Sequence, residues 1–322
     1  MDLQLTEEQQ ALVAALQDIM QDHAELPQER RLSYAWHDAG LQTLLGESGF
    51  LDAAREIGPL EAALVVFEAG KGIAALDTIG CGLVAPLLLP DLRIEGPVAL
   101  VDRRDLGKAI RNLSISGTLL VDCGEDVALL PLAGFAIDSV DSIFAFPYGR
   151  FAERPDLSSA RRLPGAGAAM RQWWRVGIAA EMAGAADAAI AFTIDYVKQR
   201  HVFGRPVGSF QSVQHRLVQR HGWAKSLYYL TMKAAWSGAE SDAAIAACFA
   251  QTGIQSLMFD LHQFHGGMGV TIEHLLHFWT YRIRALQAEA GGLSASALAI
   301  AERRWTEAGS EVDAVPARVA GL

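Results

Sequence analysis

The stretch Arg200-His201-Val202-Phe203-Gly204-Arg205-Pro206-Val207-Gly208-Ser209-Phe210-Gln211 separates two long helical patterns and constrains the fold more than any other. Pro206 lacks an amide donor, and Gly204 and Gly208 accept dihedrals closed to other residues, so the chain must turn here. Ser209 is positioned to cap a new helix that carries Gln211, Gln214 and His215. Two arginines, an exposed phenylalanine and a glutamine pair at a helix start suit an anionic, aromatic ligand. Guanidinium forks grip phosphate oxygens, and a phenyl face can lie against a flat heterocycle. The plain alternative is a solvated helix–turn–helix corner.

A second stretch, Gln263-Phe264-His265-Gly266-Gly267-Met268-Gly269-Val270-Thr271-Ile272-Glu273-His274, follows another helical pattern. Its glycines end that helix and permit close backbone approach, and Thr271 is placed to cap the next helix. The pair Arg-x-x-Phe-Gly-x-Pro-x-x-x-Phe-Gln and Gln-x-x-Gly-Gly-x-Gly-x-Thr-x-Glu resembles the acyl-CoA dehydrogenase family, over residues 165–290 and more loosely in the N-terminal third. The resemblance implies FAD as cofactor, with Arg200 on the flavin pyrophosphate and Phe203 and Gln211 near the adenine end. It implies that Gln263, Gly266 and Gly267 touch the same cofactor from a neighbouring subunit. It further implies an acyl-CoA substrate, electron-transfer flavoprotein as acceptor, and a homo- or hetero-oligomer with another acyl-CoA dehydrogenase subunit. Glu273-His274-Leu275-Leu276-His277 is similar to the variant found in short members, which are linked to bulky substrates such as steroid side-chain thioesters.

The fold class expected is mostly α with a small β domain. Residues 1–92 read as an N-terminal helical domain, opened by the capping box Thr6-Glu7-Glu8-Gln9, with a second helix through Tyr34, Trp36 and Leu41 and another starting near Pro59. Residues 93–155 hold short apolar runs, Val98–Asp102, Leu119–Val121, Val127–Leu130, Phe135–Ile137 and Ile143–Phe146, which predict a compact antiparallel sheet or barrel. This middle domain is shorter than the family's and shows neither its Thr-Glu and Gly-Ser-Asp stretches nor its Trp-rich strand. Residues 156–164 read as a linker, at the head of a C-terminal bundle domain over 156–322. Its four helices are one with small residues from Gly177 to Ala191, one from Ser209 to Trp236, one from Asp242 to His262 and one from Thr271 to Ala288. A last helix follows Gly291-Gly292 to about Arg304, and the final dozen residues are expected to fray.

A net charge of −10 argues against a nucleic-acid surface, which would present a clustered basic face. Cys81, Cys123 and Cys248 fit no Cys-x-x-Cys spacing and suggest a reducing compartment. The acidic start Met1-Asp2-Leu3 is unlike a signal peptide. The apolar run Ile79–Pro90 is too short for a bilayer, so the expected location is cytoplasmic, off the membrane. His262 and His265, and His274 and His277, each sit at i,i+3 spacing, but zinc wants three or four ligands in closed geometry, so packing roles are expected and no metal.

Dehydrogenating a thioester needs a hydride acceptor and a desolvated carboxylate to remove the α-proton. The resemblance implies one of two positions for that carboxylate. Here they are Trp174, just before Arg175, and Ala290 in Gln287-Ala288-Glu289-Ala290-Gly291-Gly292. Glu289, one residue short of the second, is the candidate catalytic base, although a loop glutamate at this place is expected to be solvated. Two readings follow: an acyl-CoA dehydrogenase that removes hydrogen across the α,β bond with FAD, or a non-catalytic, FAD-contacting subunit of a heteromeric assembly.

Overall fold

The structure, a computed structural model, describes residues 4–158 and 160–313. The N-terminal helices are α1 (Glu7–Asp22), α2 (Ala39–Glu47), α3 (Ala53–Glu56), α4 (Pro59–Gly70) and α5 (Ala85–Leu88). The capping box forms as expected, with Gln9 N donating to Thr6 Oγ1 at 3.2 Å and Thr6 N to Gln9 Oε1 at 3.0 Å. Tyr34 and Trp36 lie before α2 rather than in it, because the Asp38 carboxylate accepts from Leu41 N at 2.9 Å and starts the helix there. Pro59 opens α4, where a missing amide costs nothing.

Seven strands follow: β1 (Val98–Asp102), β2 (Ile110–Arg111), β3 (Thr118–Asp122), β4 (Val127–Pro131), β5 (Ile137–Val140), β6 (Tyr148–Phe151) and β7 (Arg161–Leu163). They form two sheets, in the orders β1-β3-β4-β7 and β2-β6-β5. The expected all-antiparallel arrangement fails at one pair. β1 and β3 are parallel, joined by a crossover that carries β2 into the second sheet. Side chains alternate along β1 and β3: Ala99, Val101, Leu119 and Val121 face the core between the sheets, while Val98, Leu100 and Leu120 join the helical core. Phe135 and Ile143–Phe146 are not strands. Ala145 has φ 51°, which buries Phe146 and delays the strand to Tyr148. Arg161–Leu163, expected in a linker, pairs with β4 instead.

The C-terminal part holds α6 (Gly167–Gln199), a hairpin of β8 (His201–Val202) and β9 (Arg205–Pro206), then α7 (Gln211–Ser237), α8 (Glu240–Thr252), α9 (Ile254–His265), α10 (Leu276–Leu286) and α11 (Gly292–Asp313). Ser209 does not cap α7; its hydroxyl donates to Pro206 O at 2.7 Å. Thr271 likewise donates to Met268 O, and α10 begins five residues later. The single helix expected from Asp242 to His262 breaks at Gly253, where the Trp223 indole lies so close that a Cβ would sit 2.1 Å from its Nε1. Helix α11 runs past Arg304 to Asp313, and the remainder of the dozen terminal residues lies outside the described residues.

Helix α6 is the axis of the molecule, packed by α4, α7, α8 and α10. It is long and apolar enough to cross a membrane, a property the sequence reading did not single out, but 72% of its most apolar 18-residue window is buried within the chain. Its small-residue face admits α4 at backbone contact. A Cβ on Gly184 would stand 2.0 Å from Phe67 O, and one on Gly70 would stand 2.9 Å from Glu181 O. Gly184→Ala is therefore expected to destabilise the fold by about 1–3 kcal/mol, as overpacking does. A urea midpoint unchanged from the parent would show that the two helices can part without loss.

Candidate active site at the seam between the sheets and the bundle

A cavity of about 450 Å³ opens where β1, β2 and the β5–β6 connection meet α6 and the α10–α11 loop. Its volume is that of small-molecule sites, about 300–1,000 Å³. Arg111, Tyr148, Trp174, Glu289 and Ala290 line it, with Asp102 and Asp105 at one side. Glu289 is not the solvated loop residue expected. Its side chain is 15% exposed and turned inward against Arg111, with Oε2 at 3.6 Å from Arg111 Nε. Burial raises its pKa against the opposing pull of Arg111 and Trp174.

Local backbone geometry makes that inward turn. Ala290 adopts φ 51°, followed by Gly291 at 80° and Gly292 at 66°, so the chain reverses tightly before α11. Gln251 on α8 braces the loop: Gln287 Nε2 donates to Gln251 O at 3.1 Å, Gln251 Nε2 to Glu289 O at 3.4 Å, and Ser296 Oγ to Gln251 Oε1 at 3.1 Å.

Behind Glu289 lies a buried ionic cluster. Arg111 is 3.9 Å from Glu181 as well as facing Glu289, and its guanidinium lies 4.8 Å from the centre of the Phe146 ring. Arg282 approaches the other side of Glu181 at 3.9 Å while donating to Gly70 O, Gly72 O and Ile73 O. It thereby caps the carbonyl end of α4 with a cation. Asp77 accepts from Gly80, Cys81 and Val98 amides and ties the α5 approach to β1. Burial raises the pKa of Glu181 and of Asp77. Sequence reasoning missed Arg111, Glu181 and Arg282. A charged residue inside the small-residue face of α6 was the available signal for Glu181, whereas Arg111 sits in a two-residue strand with no pattern of its own.

The other predicted residues lie elsewhere. Arg200, Phe203 and Gln211 are exposed at the α6–α7 corner, and Gln263, Gly266 and Gly267 are exposed at the end of α9. Both groups share one end of the bundle, where Tyr196 OH donates to His265 O at 3.4 Å. That end is remote from Glu289: about 39 Å of helix, at ~1.5 Å per residue, runs between Trp174 and Arg200. Phe203 and Gly204 have φ of 52° and 79°, the pattern of a two-residue type I′ hairpin loop. Phe203 is 96% exposed in that left-handed conformation, an unfavourable place for a large apolar ring in an isolated chain.

The four histidines pack beneath the glycine loop. His262 meets Gly269 O and Thr280 Oγ1, His265 meets Thr193 Oγ1 at 3.0 Å, and His277 meets His274 O and Ser33 O. Phe192 and Tyr196 rings lie against His265 and His274. Among the described residues no three His, Cys, Asp or Glu side chains gather in a way that could hold a metal ion.

Helices thus stand on both sides of a small β unit, and a ligand-sized cavity lies at its seam with a long-helix bundle. Residues 166–305 match the acyl-CoA dehydrogenase C-terminal domain. The acyl-CoA dehydrogenase IpdE2 of Mycolicibacterium smegmatis is 28% identical over 236 residues, 69% of this chain and 71% of that protein. Its namesake in Mycobacterium tuberculosis is 32% identical over 105 residues, a third of either chain. Among solved structures, a chain of the ChsE4–ChsE5 complex from Mycobacterium tuberculosis superposes with TM-score 0.78 at 21% identity, covering 98% of this chain and 100% of that one. Butyryl-CoA dehydrogenase from Megasphaera elsdenii gives 0.78 at 20% identity, covering 95% and 100%. Residues 166–305 thus carry the C-terminal domain of the acyl-CoA dehydrogenase family, and the chain as a whole has the fold of its solved members.

His265 supplies a pH test of the glycine-loop end. Burial, then the neighbouring His274 and His262, push its pKa down to about 4. An unfolded histidine titrates near ~6.5, so the neutral ring's contribution to stability is intact above that pH and is lost as pH falls toward the folded value. His265→Gln is expected to narrow the drop in urea midpoint between pH 7 and pH 5. An equal drop in parent and variant would exclude His265 as its source.

Proposed function

We propose that this chain is a flavin-dependent acyl-CoA dehydrogenase subunit that oxidises the α,β bond of an acyl thioester, with Glu289 as the base that removes the α-proton. The observation that carries this reading is the Glu289 carboxylate, drawn out of solvent into the seam cavity with a raised pKa. A carboxylate held in that state is a stronger base than a solvated one. The acyl thioester enters the seam cavity and presents its α-carbon to Glu289. FAD supplies the acceptor for the hydride that leaves the β-carbon. Trp174 closes part of the cavity floor, which favours a substrate bound across the seam over a long straight acyl chain running into the bundle.

The surface residues fit a cofactor shared between subunits. Arg200, Phe203 and Gln211 would take its pyrophosphate and adenine end, and Gln263, Gly266 and Gly267 would approach it with open backbone. Phe203, exposed and left-handed, supports this: a flat ligand and a second chain together would cover the ring. The helix length between Trp174 and Arg200 exceeds an extended dinucleotide, which supports Arg200 serving a cofactor whose flavin lies at a partner's seam. The small β unit favours a partner that is a larger acyl-CoA dehydrogenase subunit, in keeping with the heteromeric ChsE4–ChsE5 assembly that this fold resembles. Electron-transfer flavoprotein is the proposed acceptor of the electrons and the cytoplasm the proposed location.

Co-purified flavin is the first measurement. Arg200→Ala should weaken FAD binding by the worth of one charge-assisted contact, about 1.5–3 kcal/mol, roughly a ten- to hundredfold rise in Kd. Unchanged flavin occupancy at limiting FAD would remove Arg200 from the site.

Turnover with acyl-CoA and an artificial electron acceptor, assayed alone and with the co-expressed neighbouring subunit, is the second. Glu289→Gln should lower it about 10²–10⁴-fold. Turnover that needs the partner and ignores Glu289→Gln would instead make this chain the cofactor-contacting half of the assembly.

A further inference from the structure

Nε and Nη1 of Arg111, Nε1 of Trp174 and Oε2 of Glu289 are buried polar atoms in or beside the seam cavity; Arg111 and Trp174 face the Glu289 carboxylate and lower its pKa, but none of the four atoms completes a hydrogen bond. Arg111 and Trp174 are 5% and 4% exposed, so water does not satisfy them freely. A buried donor without an acceptor costs about 1–3 kcal/mol, and native folds leave few of them. Two such donors on one cavity wall, beside a carboxylate, are an arrangement that a ligand oxygen would complete.

We propose that Trp174 Nε1 and the Arg111 guanidinium are the donors that receive the thioester carbonyl oxygen of the substrate. This inference rests on the reading of the cavity as an acyl thioester site. As Glu289 forms an O–H bond with the α-proton, the C–H electron pair moves into the carbonyl system and negative charge collects on that oxygen. Donors fixed beforehand around that oxygen stabilise the charge where it develops. Trp174 thus occupies the place of a catalytic carboxylate with a different catalytic group.

Arg111 is suited to the exchange by its two counter-charges. Glu289 lies 3.6 Å from Nε and Glu181 lies 3.9 Å from Nη1, neither as a completed hydrogen bond. The guanidinium can therefore turn from Glu289 to the carbonyl oxygen while Glu181 continues to balance its charge. Phe146 supports the guanidinium plane throughout. Handing both donors to the substrate also leaves Glu289 with fewer groups stabilising its charged form, so it becomes a stronger base as the substrate binds.

The test uses the holoprotein and acetoacetyl-CoA, whose enolate is read by near-ultraviolet difference absorbance as pH is varied. Calorimetry measures binding separately. Trp174→Phe keeps the ring and removes the N–H, and Arg111→Lys keeps the charge and removes the fork. Binding is compared below the pH at which the bound ligand ionises, where each variant should still bind acetoacetyl-CoA, with a Kd weakened by no more than the roughly tenfold worth of one hydrogen bond. In each, the apparent acidity of the bound ligand should weaken by at least about one pKa unit, a tenfold loss of enolate stabilisation. Near-parent acidity in either variant, with binding intact, overturns the donor assignment and leaves the proposed function standing. Absence of binding in the parent overturns both. A variant that melts early is compared at a temperature where its circular dichroism matches the parent's, so the acidity is read on folded protein in every case.

Discussion

The contact on which the rest of the molecule depends is the backbone approach of α4 to α6 at Gly70 and Gly184. With no Cβ on either side, Phe67 O and Glu181 O come within van der Waals reach of the opposing helix. Two consequences follow from that distance. The α4 carbonyl end is delivered to Arg282, whose guanidinium satisfies the Gly70 carbonyl that ends the helix and those of Gly72 and Ile73 just beyond it. Glu181, one turn from Gly184, is then enclosed between Arg282 and Arg111, far from water. A carboxylate there is tolerable only with cations on both sides, since an isolated buried charge costs several kcal/mol. The electrostatics of the seam cavity are thus set by helix packing well behind it.

The β unit serves the same end from the other side. Its first sheet divides its side chains between two cores, so it is fixed to the helices by alternate residues of β1 and β3. The second sheet, attached through β2, brings Arg111 and Tyr148 to the cavity. Strands too short to be stable alone are held by burial and by Asp77, which grips Val98 N across the seam.

Much of this was legible from residue types. The helical character, the β segment in the middle, the turn at Gly204 and Pro206 and the glycine stop after His265 all arise from local rules, and local rules are readable in a sequence. The misreadings share a different cause. The parallel β1–β3 pair, the strand at Arg161–Leu163 and the break at Gly253 are decided by what packs against them from distant parts of the chain. Glu289 is the instructive case. By residue type it belongs in solvent, and only the left-handed Ala290 and the brace from Gln251 turn it inward. Arg111 carried no pattern at all, because its partners Glu181 and Glu289 lie 70 and 178 positions away.

The hold of Arg282 and Trp279 on α4 has a consequence for how the molecule comes apart. The indole donates to Lys71 O at 2.8 Å, and the guanidinium has its acceptors on the same turn of chain. Cutting the protein near residue 165 would strand a buried cation without acceptors in the C-terminal fragment and leave the end of α4 open in the other. Glu181 would stay with Arg282 in the C-terminal fragment, but its other cation, Arg111, would leave with the N-terminal one. The contacts that Arg282, Trp279 and Arg111 make across this boundary therefore couple the helical ends of the sequence and the β unit between them, so the segment matching the C-terminal domain is expected to lose stability when cut from the rest.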